Sequence, residues 1–348
     1  MIRFAPATPA DDAELRALLR EHGMASWMTM AVEREPSFFA GMNRFGRDMA
    51  MIARDGDRAV GMYVRSEHPV HLNGHPARIG YLGALRIDAG YRRRVRALRD
   101  GYAAAFAADE SGVAEFCYTC IASENRAARR LLEANLKGLP KYVAAGQVIA
   151  LAMSSARGKE IGHWLPMRQD EGAAVCAWHN TIAASRQFSP ELNPMTLNAT
   201  GADFFVCHDE AGEPAACMAL WNQNSYKQVV ARAYRQPLAT LRPLYNVVAA
   251  ARRQVMLPRP GQAVDQTYLA FFAADAERAP PMQELVADAL AKCSTPVLTM
   301  GLSDRDPDLQ NIIVRFRPSS YAMTVYTVCY ADLPGLDGRP VQPEIAVL

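Results

Sequence analysis

Apolar and polar positions alternate with two periods along this chain, and the switches between them predict its elements. Residues 2–7 read as a strand. Thr8 can cap a helix with Pro9 at its first position and Asp11 and Asp12 in its first turn, with Leu15, Leu18 and Leu19 as the buried stripe. A second helix is expected over Glu35–Arg44. Strands follow at Met49–Arg54 and Val60–Ser66 across Asp55–Gly56, and Asn73–Gly74 marks a hairpin turn before a strand over Ile79–Ile87. A helix start at Arg92–Arg96 carries Val95, Leu98, Tyr102, Ala105 and Phe106 at helical spacing. Strand Glu115–Ile121, a helix striped by Ala128, Leu131, Leu132 and Leu136 and stopped by Gly138, and strand Tyr142–Met153 complete the first half.

The second half repeats this order. DMAMIARDGDRAVGMYV (48–64) parallels DFFVCHDEAGEPAACMAL (203–220), each a strand, an acidic-Gly turn and a strand. Ser123–Glu124–Asn125–Arg126 parallels Ser303–Asp304–Arg305–Asp306, each between a strand and a helical run. An insertion around Leu238–Gln262 reads as an extra helix with Leu244, Val247, Val248 and Ala251 on one face. The next helix carries Met282, Leu285, Val286, Ala289 and Leu290. The polar stretch SSARGKEIGHW reads as a linker. The expected division is 1–153, a linker at 154–165, 166–332, and a tail at 333–348.

Local chemistry is densest in LRIDAGYRRRVRALRDGYAAAF, residues 85–106. An apolar strand turns at Asp88–Ala89–Gly90 into Arg92, Arg93 and Arg94 and then a helix. Unpaired N–H groups in a helix's first turn attract anions, and arginines add charge-assisted contacts to phosphate. This segment resembles motif A of the GCN5-related N-acetyltransferases, in which an apolar strand and a Tyr-Arg step precede Arg/Gln-x-x-Gly-x-Gly/Ala. Here the run is Tyr91, Arg92, Arg93, Arg94, Val95, Arg96, Ala97, with Arg92 and Ala97 matching the pattern ends and Val95 where the family has glycine. The order of elements over residues 2–153 carries the same resemblance.

The resemblance implies an α/β chain of α+β type: two GNAT-like domains, each a mixed, mostly antiparallel twisted sheet flanked by helices. It implies an acyl-CoA-dependent N-acyltransferase taking acetyl-CoA as acyl donor, with no metal. Leu85, Arg86 and Ile87 would hold the pantetheine arm by backbone bonds, Arg86 pointing elsewhere. Arg92–Ala97 would hold the pyrophosphate, and Asn125 with Ala128 would match motif B. The loop at Asp275–Pro281, acidic and proline-bearing, lacks the phosphate signature, so the second half is read as having lost donor binding. The family's proton-donating tyrosine would fall at Leu132, and residues 78–87 contain no carboxylate. Tyr81 and Tyr118 are then the candidate catalytic hydroxyls. These departures leave open an alternative, a catalytically degenerate acyl-CoA-binding or protein-interaction module.

Composition narrows the classes. Half of the 348 residues are hydrophobic and the net charge is +2, so neither nucleic acid nor an anionic membrane is the expected partner. The expected partner is a small-molecule or peptide amine acceptor; a homo-oligomer is compatible with the sequence but not specified by it. No apolar run approaches the roughly 18 residues of a membrane span, and MIRFAPATPADDAEL lacks a signal-peptide layout, which predicts a cytoplasmic protein. Seven irregularly spaced cysteines argue against a disulfide framework, and Cys117 and Cys120 read as core thiols on opposite strand faces. His68, His71 and His75 bracket the Asn73–Gly74 turn and are expected at its solvent-exposed end. The sequence has no Walker A, Gly-x-Ser-x-Gly, His-Glu-x-x-His or Gly-x-Gly-x-x-Gly pattern.

Overall fold

A computed structural model of the chain describes residues 2–21, 23, 27–91, 95–107, 116–331 and 335–348. The first half runs β1 (Ile2–Pro6), α1 (Asp12–Glu21), β2 (Met28–Glu33), β3 (Arg47–Asp55), β4 (Arg58–Leu72), β5 (His75–Ile87), α2 (Val95–Ala107), β6 (Cys117–Ala122), α3 (Arg126–Leu132) and β7 (Lys141–Ser154). The second runs β8 (Leu165–Pro166), α4 (Gly172–Ala183), α5 (Pro194–Thr200), β9 (Asp203–His208), β10 (Pro214–Trp221), β11 (Gln228–Tyr234), α6 (Leu238–Ala251), β12 (Gln266–Ala274), α7 (Met282–Lys292), β13 (Val297–Ser303), α8 (Leu309–Phe316) and β14 (Ser319–Cys329).

One twelve-stranded sheet joins the halves in the order β1-β3-β4-β5-β6-β14-β7-β13-β12-β10-β9-β8, and β2 pairs with β11 beside it. The halves exchange their last strands. β14 lies between β6 and β7, with Val325 opposite Cys120 on one side and Gly146 on the other, while β7 pairs with β13 from Val297↔Ser154 to Ser303↔Val148. The largest core cluster, which includes Tyr118, Val148, Phe188, Phe271 and Val325, therefore draws on both halves. α1 packs Leu15, Leu18 and Leu19 on β3 and β4, as its stripe predicts. α7 and α8 cover the far half through Leu285 and Ile312.

Four local expectations change. Residues 38–43 form turns rather than a helix. The Asp12 carboxylate accepts from Ser37 Oγ and Phe38 N–H, both at 2.8 Å, and Asn43 is left-handed at φ +59°, so the backbone has partners that a helix would deny it. α3 ends at Leu132, a turn earlier than the stripe suggests, and Asn135 is left-handed. His68 and His71 are buried, because the tip of the β4–β5 hairpin docks on the second half: His71 N–H donates to Ser189, and Phe188 N–H to His71, at 2.8 and 2.9 Å. The stretch at 154–165 is packed against α7. Asp288 accepts from the Ile161 and Trp164 N–H groups at 3.0 and 3.1 Å, Lys159 N–H donates to Ala287, and Trp164 is buried. Among the described residues, no helix is long and apolar enough to cross a membrane.

Candidate functional site

β5 and β6 pair in parallel only at Gly80↔Cys117 and Tyr81↔Tyr118. Thr119 Oγ1 then donates to Leu82 O at 2.7 Å, and beyond that bond the strands part. On its other side, β5 slips against β4 between Met62↔Arg86 and Val64↔Gly83, with Ala84 left-handed at φ +52°. Such a bulge turns backbone groups out of the ladder and resets side-chain alternation. A cavity of about 530 Å³ opens at this parting, a size typical of small-molecule sites.

Leu85, Arg86, Ile87, Ala97, Asn125 and Ala128 all line this cavity. Arg86 was expected to point elsewhere; the bulge brings it onto the wall, where its Nε is buried without a partner. Arg92, Arg93 and Arg94 lie outside the described residues, as does the side chain of Val95, which opens α2. Arg96 is exposed and is not on the wall. Asn125 caps α3, its Oδ1 accepting from Ala128 N–H at 3.2 Å. Leu132 lines the wall at the position of the family's tyrosine.

The two candidate hydroxyls are treated differently. Tyr81 lines the cavity and its hydroxyl has no hydrogen-bond partner among the described residues; burial pushes its pKa well up, so the phenol keeps its proton. Tyr118 is not on the wall. Its hydroxyl sits 2.8 Å from His68 Nδ1, and His68 stacks on Tyr81 with ring centroids 5.4 Å apart. Burial holds His68 down at about 4, so the imidazole is neutral.

The opposite wall is formed by Arg34, Asp48, Tyr226 and Lys227, of which sequence reasoning missed Asp48, Tyr226 and Lys227. Lys227 comes from the second half and has no local motif. Its Nζ donates to the backbone oxygens of Ala346 and Leu348 at 3.1 and 2.6 Å. Burial, aided by Arg34, brings Lys227 down to about 7.

The second half contains the same parting and the same slip. β12 and β13 pair only from Gln266↔Val297 to Tyr268↔Thr299, the β10–β12 ladder slips between Cys217↔Ala273 and Ala219↔Ala270, and Phe271 is left-handed at φ +52°. Here the gap is filled by the chain itself. Gln342 accepts from Ser303 N–H and donates to Gly301 O, each at 3.0 Å, and the Glu344 carboxylate accepts from Phe271 N–H at 2.7 Å. Gly301 permits the close approach: a Cβ there would stand 2.6 Å from Ile345 Cγ2. Burial pushes Glu344 up to about 7.

No protein-family model matches the sequence, and no curated protein matches it. Solved structures do match the fold. N-myristoyltransferase of Saccharomyces cerevisiae, with bound myristoyl-CoA, superposes with a TM-score of 0.56 at 8% identity, over 96% of this chain and 84% of that one. An Enterococcus faecalis V583 protein of unknown function, described as "Probable N-Acyltransferase", gives 0.52 at 8% over 95% and 73%. A GCN5-related N-acetyltransferase from Anabaena variabilis gives 0.50 at 10% over 93% and 72%. At such identities the likeness is one of fold. The chain has the fold of the GCN5-related N-acetyltransferases, with a strand parting and a ladder slip in each half of its one sheet.

Proposed function

We propose that the chain is an acyl-CoA-dependent N-acyltransferase, with acetyl-CoA the expected donor and a small-molecule or peptide amine as acceptor. The donor half is 1–153; 166–332, joined through 154–165, is its degenerate partner, and within the tail at 333–348 it is Gln342, Glu344 and Ile345 that fill the partner's gap. The observation that carries the reading is the open parting of β5 and β6 beside a bulge, against the plugged parting of β12 and β13. The donor-side wall fits such a ligand: Arg86 Nε and the Tyr63 hydroxyl are buried polar atoms without hydrogen-bond partners among the described residues.

The donor supplies an acyl carbonyl already activated as a thioester. The chain's own groups supply the rest. Phe271 N–H donates to a carboxyl oxygen of Glu344, and Ala84 holds the equivalent place in the open half. We therefore assign Ala84 N–H as the donor to the oxygen on which negative charge develops. Tyr81 keeps its proton and can give it to a sulfur or oxygen placed before it. Lys227, at about 7, is partly neutral near pH 7 and can take the acceptor's proton. The seven free thiols suit a reducing, cytoplasmic setting.

Leu132 on the wall, in place of a tyrosine, favours the alternative of a degenerate acyl-CoA-binding module. Release of free thiol from acetyl-CoA with an amine panel separates the two. Amine-dependent release supports the transferase; donor binding without release for every amine supports the binding module.

A further inference from the structure

We infer that the cavity selects an acceptor that carries a carboxylate beside its amine, an amino acid with an apolar side chain, held by Arg34 and Arg44. The inference rests on the transferase reading and names its acceptor class. Both arginines line the cavity. Arg34 lies over the Phe38 ring at 4.7 Å, and its one hydrogen bond is a long 3.4 Å contact to Phe38 O. Arg44 lies over the Tyr226 ring at 5.2 Å. Neither forms an ion pair among the described residues, whereas Arg16, Arg20, Arg54 and Arg58 in the same half all meet carboxylates.

The charge on this wall is unbalanced. Arg34 and Arg44 share this wall with the carboxylate of Asp48, whose Oδ2 already accepts from Asn43 N–H at 2.7 Å, while Lys227 is engaged by the backbone oxygens of Ala346 and Leu348. An enclosed guanidinium without an anion is unfavourable, and its planar fork matches a carboxylate's two oxygens. Arg34 and Tyr81 line the same cavity, and burial lowers the Arg34 pKa while Asp48 and Tyr81 oppose that shift. A carboxylate on Arg34 would therefore set an adjacent α-amino group beside the atoms that react. Met30, Val32, Phe45 and Trp221 offer apolar surface for the side chain.

The test pairs phenylalanine with phenylalanine amide, and leucine with its amide, as acceptors for acetyl-CoA. The amides have the more acidic ammonium group and so more neutral amine at neutral pH; a preference for the acids cannot come from amine protonation. We expect kcat/KM at least about tenfold higher for the acids, falling toward unity in Arg34→Gln and Arg44→Gln, with Arg34→Lys between. A donor-free arm measures melting temperature with N-acetylphenylalanine and its amide: the acid should raise it, the amide should not, and the Gln variants should lose the shift. Circular dichroism confirms that each variant is folded, and Arg34→Lys serves if Arg34→Gln is not. Acid binding without thiol release from any amine would overturn the transferase reading and leave the carboxylate site standing. Equal rates and equal shifts for acid and amide, or a preference that survives in the variants, would overturn the carboxylate site.

Discussion

Ala84 and Phe271 occupy one and the same place in the two halves. Each sits at φ +52° where the inner antiparallel ladder slips. Phe271 gives its N–H to Glu344, while Ala84 lines the open cavity.

This pair predicts the binding stoichiometry. Titration calorimetry with acetyl-CoA should give one site per chain, because Gln342, Glu344 and Ile345 fill the second gap. Two sites would show that the tail leaves its seat. At Ala84 itself, a β-branched side chain in the left-handed region is strained, so Ala84→Val should lose about 1–2 kcal/mol in chemical denaturation. Ala84→Gly should be neutral or gain up to about 1 kcal/mol.

Tyr81→Phe removes a hydroxyl that has no hydrogen-bond partner among the described residues. Stability should change by less than about 1 kcal/mol, while amine-dependent thiol release falls by about 10²-fold or more with donor affinity retained. An unchanged turnover rate would assign the proton to another group.

The tail and its neighbour give opposite pH dependences. Glu344 is raised by burial from 4.5 to about 7, so its stabilising contribution is complete below pH 4.5 and is lost as pH rises through 7. Lys227 is lowered by burial from 10.5 to about 7, so its penalty is complete below pH 7 and is relieved as pH rises toward 10.5. Together they place a dip in stability near pH 7, on the order of a few kcal/mol deep. Denaturation of Glu344→Gln should lose the falling limb between pH 4.5 and 7, and Lys227→Met the rising limb above 7. A difference between wild type and Glu344→Gln that is flat from pH 4.5 to 7 would refute this assignment.

The stretch at 154–165 should resist trypsin at Arg157 and Lys159. The Arg157 guanidinium donates to the carbonyls of Arg252, Arg253 and Arg315, and the backbone that follows is tied to α7. Early cleavage there in a native digest would contradict that packing.

Much of the fold was legible because its signals are local. Thr8–Pro9 with Asp11 marked the first capped turn, the Leu15–Leu18–Leu19 stripe marked α1, and the parallel between 48–64 and 203–220 became the two hairpins β3–β4 and β9–β10. What could not be read depends on contacts between distant residues. Asp12 reaches across sequence to hold Phe38 in a turn, and the second half's Ser189 buries His71. The site divides in the same way. Arg86, Asn125 and Tyr81 belong to motif-bearing strands and helix starts, whereas Lys227 and Glu344 meet the cavity or its counterpart only through the tertiary fold, and no spacing announces them.

The exchange of β7 and β14 has a consequence for inheritance. A duplicated domain that keeps its own strands can later be lost, shuffled or replaced as a unit. Here each copy is completed by a strand encoded in the other, so deletion of either would leave its twin with an open edge between β6 and its missing neighbour, or beside β13. The copy whose gap is stopped by its own tail is thereby built into its twin's sheet. It persists as the other's missing wall, contributing β14 to the sheet and Lys227 to the cavity.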